Sequence, residues 1–248
     1  MKSADSTAIA VVIPAYNEAA TIANIVQRTL SFADKIIVVD DASSDDTADC
    51  LAQFPVLLLR NQNNLGKSRS LVRGMQTALA QGACGVITLD GDGQHLPEDI
   101  PTFLDMAARF PQHIIIGSRL ADKAAFPPAR YYANRIANFW ISWAAHHRVA
   151  DSQCGFRLYP RGVIETFASR LMTRPSFVFE SEILIEAGRA GIFTRAVPIA
   201  AIYSPDARAS YFHPGWDFLR ITRMVAWKLI SRGLDPAGLM ALLVRQGF

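Results

Sequence analysis

Apolar residues fall in short blocks through the first half of the chain, and between the blocks they recur at every third or fourth position. The blocks "AIAVVIPA" (8–15), "KIIVVD" (35–40), "VLLLR" (56–60), "GVITLD" (85–90) and "HIIIGS" (113–118) are rich in β-branched residues and short, which predicts five strands. Helical spacing fills about 18–32, 45–53, 65–81 and 97–110. Asp45 or Asp46 can cap the second of these helices, and Pro97 followed by Glu98 and Asp99 suits the first turn of the fourth. Strands alternating with helices predict an α/β fold with a mainly parallel sheet flanked by helices.

Three unusual sequences directly follow strand blocks: "PAYNE" (14–18), "DDASSDD" (40–46) and "DGDGQ" (90–94). Open α/β sheets bind ligands at the carboxyl ends of their strands, so these loops are expected to converge on one cleft. Asp90 and Asp92 are separated only by Gly91. Two carboxylates held that close repel unless a cation or donor groups lie between them, and a bound metal is the first candidate.

A chain of 248 residues, half of them hydrophobic, can bury a full core and suits one large domain or a domain with a short appendage. Cys50, Cys84 and Cys154 are odd in number and far apart, so a disulfide framework is not expected and a reducing compartment is. The start of the chain lacks a signal-peptide layout, and no run approaches the roughly 18 apolar residues of a membrane span. A cytoplasmic location is therefore expected. The net charge of +3 conceals an asymmetry. Acids crowd the first half, whereas residues 119–161 carry seven basic residues against Asp122 and Asp151. Cation-binding groups come early and anion-binding groups late. No nucleic-acid partner is expected.

Several motifs fail on inspection. "NLGKS" (64–68) ends like a phosphate-binding loop, but Asn61 stands where the first glycine is required. Calcium loops started at Asp41 or Asp90 place Asp46 or His95 at the obligatory glycine. No glycine-rich dinucleotide fingerprint follows the first strand. His146 and His147 are adjacent and diverge on a helix, so surface or interface histidines are expected rather than a metal pair.

"VVIPAYNE", "IIVVDDASSDDT", "NNLGKSRSLVRG", "LDGDGQHLPED" and "IIIGSR", in that order, resemble the family 2 glycosyltransferases of GT-A fold, which use nucleotide-sugar donors. "RYYANRIANF", "DSQCGFRLYP" and "FVFESEILIEAGRAGIFTRAVPI" narrow the resemblance to polyprenyl-phosphate or dolichyl-phosphate mannose and glucose synthases, and it spans about residues 8–203. It implies a GT-A catalytic domain over 1–210, followed by a C-terminal amphipathic helical appendage over 211–248.

The resemblance implies Mg²⁺ or Mn²⁺ held by Asp92, Asp90 and the Gln94 amide oxygen, all hard ligands suited to those ions. Asp92 is the expected direct ligand, with Asp90 nearer the donor ribose or the metal's water shell. The competing reading makes the two acids turn caps. Pro14, Ala15, Tyr16, Glu18 and Asp41 would line the donor nucleoside, UDP- or GDP-linked, while Gly91 would admit the backbone to the phosphates. Asp40 can instead be a structural strand-end acid, and Asp45 and Asp46 are expected as caps.

On the acceptor side, the resemblance places Arg119 and Arg130 at a lipid phosphate, with Arg135 as a further candidate; for Arg130 and Arg135 a solvated helix face is an equal alternative. A phosphate monoester is already ionised and needs positioning more than a base. A hydroxyl acceptor would need a base, and Asp151 is the candidate for that alternative reading. Two remoter alternatives are a haloacid-dehalogenase-type phosphatase and a non-catalytic nucleotide-sugar or membrane-binding module.

A lipid acceptor calls for a membrane surface. On a helix beginning near Trp216, the residues Trp216, Arg220, Arg223 and Trp227 share a stripe, with Phe218, Val225 and Leu229 opposite. That composition predicts peripheral contact with the inner face of the cytoplasmic membrane, core packing being the alternative. "ANFWISWAAHH" (137–147) is a second interfacial candidate.

Overall fold

The uncharged run Ile9–Ala15 forms strand β1, a central strand whose residues Ala10 to Ile13 are fully buried. The computed structural model to which it belongs describes residues 9–120, 128–168, 179–202 and 214–244, with the side chains of 129 and 214–220 excepted. Beside β1 lie β2 (Ile36–Asp40) and then β3 (Leu57–Arg60), both parallel to their neighbours. On the other side lies β4 (Gly85–Thr88), again parallel to β1. The chain thus builds outward from β1 in one direction and returns to its other side. The strand order reverses between β1 and β4, and such a reversal opens a crevice at the carboxyl ends of the strands.

All five strands expected from the sequence are present, the fifth being β5 (Ile114–Ser118). Two more complete a seven-stranded sheet in the order β3-β2-β1-β4-β6-β5-β7. Strand β6 (Arg157–Pro160) is inserted antiparallel between β4 and β5, and β7 (Thr194–Pro198) runs parallel to β5 at the edge. Because β6 runs backwards, its amino end meets the carboxyl end of β4. Thr88 pairs with Arg157, which brings Gly155 level with Asp90.

Helices α1 (Ile22–Thr29), α2 (Lys67–Ala80) and α3 (Ile100–Arg109) occupy three of the four expected helical stretches. The fourth expectation is corrected: 45–53 holds turns and only a short 3₁₀ segment, Asp49–Leu51. Asp45 closes one of those turns by accepting from the Thr47 amide and hydroxyl, which satisfies the local backbone without a helix. Helix α2 packs directly on the sheet, since a Cβ at Gly74 would come within 2.4 Å of Val12.

The second half is organised by α4 (Pro128–Ala145). Its Asn138 donates to the Ala150 carbonyl and accepts from the amide and hydroxyl of Ser152 at 2.7–2.8 Å, clamping the 150–152 loop. Helix α5 (Phe179–Arg189) lies against α4 so closely that a Cβ at Gly188 would fall 2.4 Å from the Ala145 carbonyl. Helices α6 (Pro214–Ile230) and α7 (Pro236–Val244) follow. Ile221, Met224, Val225 and Leu229 of α6 join the main core, so the expected appendage packs on the body of the protein. Lys228 pairs with Glu182 and Glu186 of α5, while Asp235 receives Arg189, His146 and the Trp143 indole. His147 accepts from the Thr194 amide, so both histidines sit at interfaces between elements. Among the described residues, no helix is long and apolar enough to cross a membrane.

Arg157 is the largest fully buried side chain among the described residues, 1% exposed. It donates to the carbonyls of Cys154 (2.7 Å) and Ser152 (2.8 Å), to the Glu180 carbonyl, and to the Tyr159 hydroxyl. Replacing it by Met orphans two buried carbonyls at about 1–3 kcal/mol each, those of Ser152 and Cys154, so Arg157→Met should lose at least about 2 kcal/mol in urea unfolding. A loss under about 1 kcal/mol would mean that Arg157 only fills space.

Candidate active site at the strand ends

The loops after β1, β2 and β4 are stitched together by short polar contacts. Asn17 adopts a left-handed backbone (φ 54°), its amide donates to the Ser43 hydroxyl, and its side-chain oxygen accepts from the Ser44 amide at 2.7 Å. The Glu18 amide donates to Thr47 Oγ1, and the Thr21 hydroxyl donates to the Gly91 carbonyl at 2.6 Å. "PAYNE", "DDASSDD" and "DGDGQ" therefore form one wall, as their positions after strands predict. A Cβ at Gly91 would meet the Pro14 carbonyl at 3.2 Å and Glu18 Cγ at 3.5 Å, so Pro14, Glu18 and Gly91 are neighbours across this wall.

The two second-strand acids divide their tasks. Asp40 is fully buried, accepts from the Ser43 amide and pairs with Arg60, the behaviour of a structural strand-end acid. Asp41 is also buried, and its carboxylate accepts from Asn61 Nδ2 (2.6 Å), the Leu65 amide (2.9 Å) and the Gly66 amide (2.7 Å). Asp41 thereby fixes the loop leading into α2 and brings Lys67, the first residue of that helix, to the mouth of β4.

Lys67 is the centre of the cluster, and sequence reasoning gave it no role. Its ammonium lies 2.8 Å from Asp90 Oδ1 and 3.3 Å from Glu180 Oε2. Burial works to lower the Lys67 pKa, but the Asp90 and Glu180 carboxylates overcome it and push the group up. Burial is the largest single influence on Asp90 and raises it, but Lys67, by charge and hydrogen bond, together with the other basic neighbours leaves it lowered. Asp92 is held up instead, by burial and then by the charge of Asp90. Gly155 closes the other side, since a Cβ there would fall 2.6 Å from Asp90 Oδ2 and 3.0 Å from Lys67 Nζ. Any side chain at 155 would collide with the ion pair.

With all groups ionised, Asp90, Asp92 and Glu180 against Lys67 leave three negative charges and one positive, a deficit equal to one divalent cation. The donor set is oxygen, the Gln94 amide donates to Asp92 Oδ1, and Asp92 is the carboxylate left under like-charge strain. These features fit a hard divalent ion held by Asp92 and Asp90 with Gln94 alongside. Among the described residues no three His, Cys, Asp or Glu side chains converge as a complete cage. Mg²⁺ characteristically uses one or two carboxylates and completes its shell with water and substrate phosphate, so the pair suffices. His95 is buried beside the acids; burial holds its pKa down to about 4, and the imidazole stays neutral.

Arg119 and Asp151, singled out separately from the sequence, are one unit. Arg119 Nε and Nη2 donate to the two Asp151 oxygens at 2.9 and 3.1 Å, and the Arg119 amide adds a further bond. Asp151 is fully buried and also accepts from the Gln153 amide. Its oxygens are engaged in aiming the arginine, which leaves it poorly placed as a base. Arg130 is exposed near the start of α4, and Arg135 donates to the Tyr131 hydroxyl at 3.2 Å; the segment 121–127 before them lies outside the described residues. Tyr16 and Ala15 remain at the carboxyl end of β1.

If Arg119 holds an acceptor phosphate, as the sequence resemblance implies, Arg119→Lys should keep the fold and nucleotide affinity while raising the KM for a phosphorylated acceptor by about tenfold or more, because lysine loses the planar fork. Donor affinity collapsing along with acceptor use would place Arg119 at the diphosphate instead.

Residues 10–177 match the family model described as glycosyl transferase family 2. Over 217 residues the chain is 27% identical to the UDP-N-acetylglucosamine–dolichyl-phosphate N-acetylglucosaminyltransferase of Methanococcus voltae, covering 79% of this chain and 86% of that one. It is 30% identical over 170 residues to an undecaprenyl-phosphate 4-deoxy-4-formamido-L-arabinose transferase of Pectobacterium carotovorum, covering 63% of this chain and 50% of that one. Glucosyl-3-phosphoglycerate synthase from Mycobacterium tuberculosis, solved with Mn²⁺, UDP-glucose and phosphoglyceric acid, superposes with a TM-score of 0.64 at 20% identity, over 92% of this chain and 80% of that one. That likeness establishes a shared GT-A fold.

Proposed function

The chain belongs to glycosyl transferase family 2, and from that premise we propose that it moves a hexose, or an N-acetylhexosamine, from a UDP- or GDP-linked donor to a polyprenyl phosphate, with inversion at the anomeric carbon. The observation that carries the reading is the proximity of two charged units at the strand ends: the Asp90–Lys67–Glu180 cluster with Asp92 beside it, and the largely buried, bidentate Arg119–Asp151 unit, whose arginine acts on Asp90. One is built for a cation and a diphosphate, the other for an anion. The relatives named for dolichyl- and undecaprenyl-phosphate transfer support the lipid acceptor.

In this mechanism Pro14, Ala15, Tyr16 and Glu18 line the donor nucleoside. Asp41 acts mainly by fixing the loop that carries Lys67. Asp92 and Asp90 would hold Mg²⁺ or Mn²⁺, which neutralises charge on the departing diphosphate. Gly91 and Gly155 keep Cβ atoms out of the cleft. Arg119 aims the acceptor phosphate at the anomeric carbon, with Arg130 and Arg135 as further contacts near the start of α4. The phosphate oxygen attacks as an anion, so no side chain must take a proton from it. The family match sets aside the phosphatase alternative, and the burial of Asp151 against Arg119 disfavours a hydroxyl acceptor served by Asp151. The reading places the enzyme peripherally on the cytoplasmic membrane face, where lipid phosphates are reached.

Incubation with radiolabelled UDP-glucose, UDP-N-acetylglucosamine or GDP-mannose over a mixed lipid extract tests the proposal. One label should enter the organic phase in acid-labile form. Label appearing only in water-soluble glycosides would favour a hydroxyl acceptor.

A further inference from the structure

Helix α4 has two faces with different duties. Its inner face carries Asn138, Ile141, Ser142, Ala144 and Ala145, all buried, and Asn138 grips the loop whose Asp151 aims Arg119. Its outer face exposes Tyr132, Ile136, Phe139 and Trp140, each between 43% and 55% accessible. Large apolar side chains that open to solvent along more than two helical turns are more than scattered surface hydrophobics.

The face continues onto the C-terminal helices. Trp140 stacks on Trp143, and the Trp143 indole donates to the Asp235 carbonyl in the turn between α6 and α7. A Cβ at Gly238 would lie 2.7 Å from the Trp143 carbonyl, so α7 starts directly against α4. Around this junction Trp227, Ile230, Leu234, Met240, Leu243 and Val244 are all more than half exposed.

Among the described side chains, the exposed charges on these elements have one sign. Helix α4 contains no acid, and its charged residues, Arg130 and Arg135, are exposed. From Ile221 to Val244 the only acid is Asp235, which is buried against His146 and Arg189, while Arg223 and Arg232 are exposed. A second copy of the chain would bring like charges together, and a water-exposed role leaves the tryptophans unexplained. An anionic bilayer satisfies both components, apolar rings entering the interface and arginines meeting headgroups.

We propose that the outer face of α4, together with the α6–α7 turn and α7, is a monotopic docking face for an anionic lipid bilayer, with α4 as the element that couples the docked surface to Arg119. This rests on the lipid-phosphate reading for its purpose, though not for its test. Of the C-terminal stripe expected from the sequence, Arg223 and Trp227 lie exposed as required, and the side chains of Trp216 and Arg220 lie outside the described residues. The main apolar contact comes instead from α4.

The test is flotation of the whole protein with phosphatidylglycerol–phosphatidylcholine vesicles, without sugar donor or acceptor. The variant Ile136→Ser/Phe139→Ser/Trp140→Ser should bind at least tenfold more weakly than the parent, with unchanged circular dichroism. A second variant, Arg223→Gln/Arg232→Gln, guards against misfolding of the first. It should lose about tenfold on anionic vesicles, and salt should produce the same loss in the parent. Undiminished vesicle binding by both variants would overturn the proposal. So would a parent that sediments as a dimer and a triple variant that is monomeric, since the face would then cover a second copy. Vesicle binding by the parent without label transfer to lipid would refute the lipid-acceptor reading and leave the docking face standing.

Discussion

Asp92→Asn should reduce sugar transfer by about a thousandfold or more while leaving the thermal midpoint within a few degrees of the parent. The substitution conserves shape and removes one charge, and the loss of a charge-neutralising ligand falls on the transition state, where the diphosphate departs. The fold should tolerate it because Asp92 is the strained member of its pair. Burial and the neighbouring Asp90 both push its carboxyl pKa upward, so neutralising it relieves repulsion in the free protein. Stability retained or slightly improved alongside lost activity is therefore the expected signature. Titration of Mn²⁺ in the presence of nucleoside diphosphate should show the affinity falling with the activity. A variant with full transfer in excess chelator would remove the metal from the proposal altogether.

The acidic loop was legible because its chemistry is local. "DGDGQ" follows a strand, and two carboxylates one glycine apart raise the question of a counter-charge without any knowledge of the fold. The first five strands were legible for a similar reason, being contiguous β-branched runs. Strand β6 was not, because "RLYP" carries a charge and a proline and becomes a strand only by pairing between β4 and β5. That pairing decides where Gly155 and Asp151 stand, so the acceptor side of the site was legible as residues but not as an arrangement. Arg119 and Asp151 were both identified, yet as separate agents; a buried bidentate pair is a fact of packing. The helix expected over 45–53 failed where Asp45 could satisfy the backbone with its own carboxylate, a competition that residue type signals but spacing does not resolve.

Lys67 and Glu180 were missed for a physical reason that also yields the second large effect. Each looks like an ordinary helix-end charge in sequence, and only the fold brings the start of α5 and the carboxyl end of β4 to the ammonium at the start of α2. Lys67→Met should lower transfer by about a hundredfold or more and also destabilise the protein by about 1–3 kcal/mol, because removing one partner leaves two partly buried carboxylates uncompensated. A divalent ion should reverse much of that destabilisation. In the parent, Lys67 already neutralises Asp90, so metal without nucleotide has one strained carboxylate to gain; in the variant it has Asp90, Asp92 and Glu180. Millimolar Mg²⁺ or Mn²⁺ should therefore raise the melting temperature of Lys67→Met well beyond its effect on the parent, by the linkage between ligand binding and stability. Asp92→Asn added to Lys67→Met should abolish the extra metal stabilisation while sparing part of the stability, since the repulsion falls as the site is lost. Equal metal shifts in parent and Lys67→Met would show that the ammonium does not share the cation's carboxylates, and Lys67 would then be a contact of the donor phosphates alone.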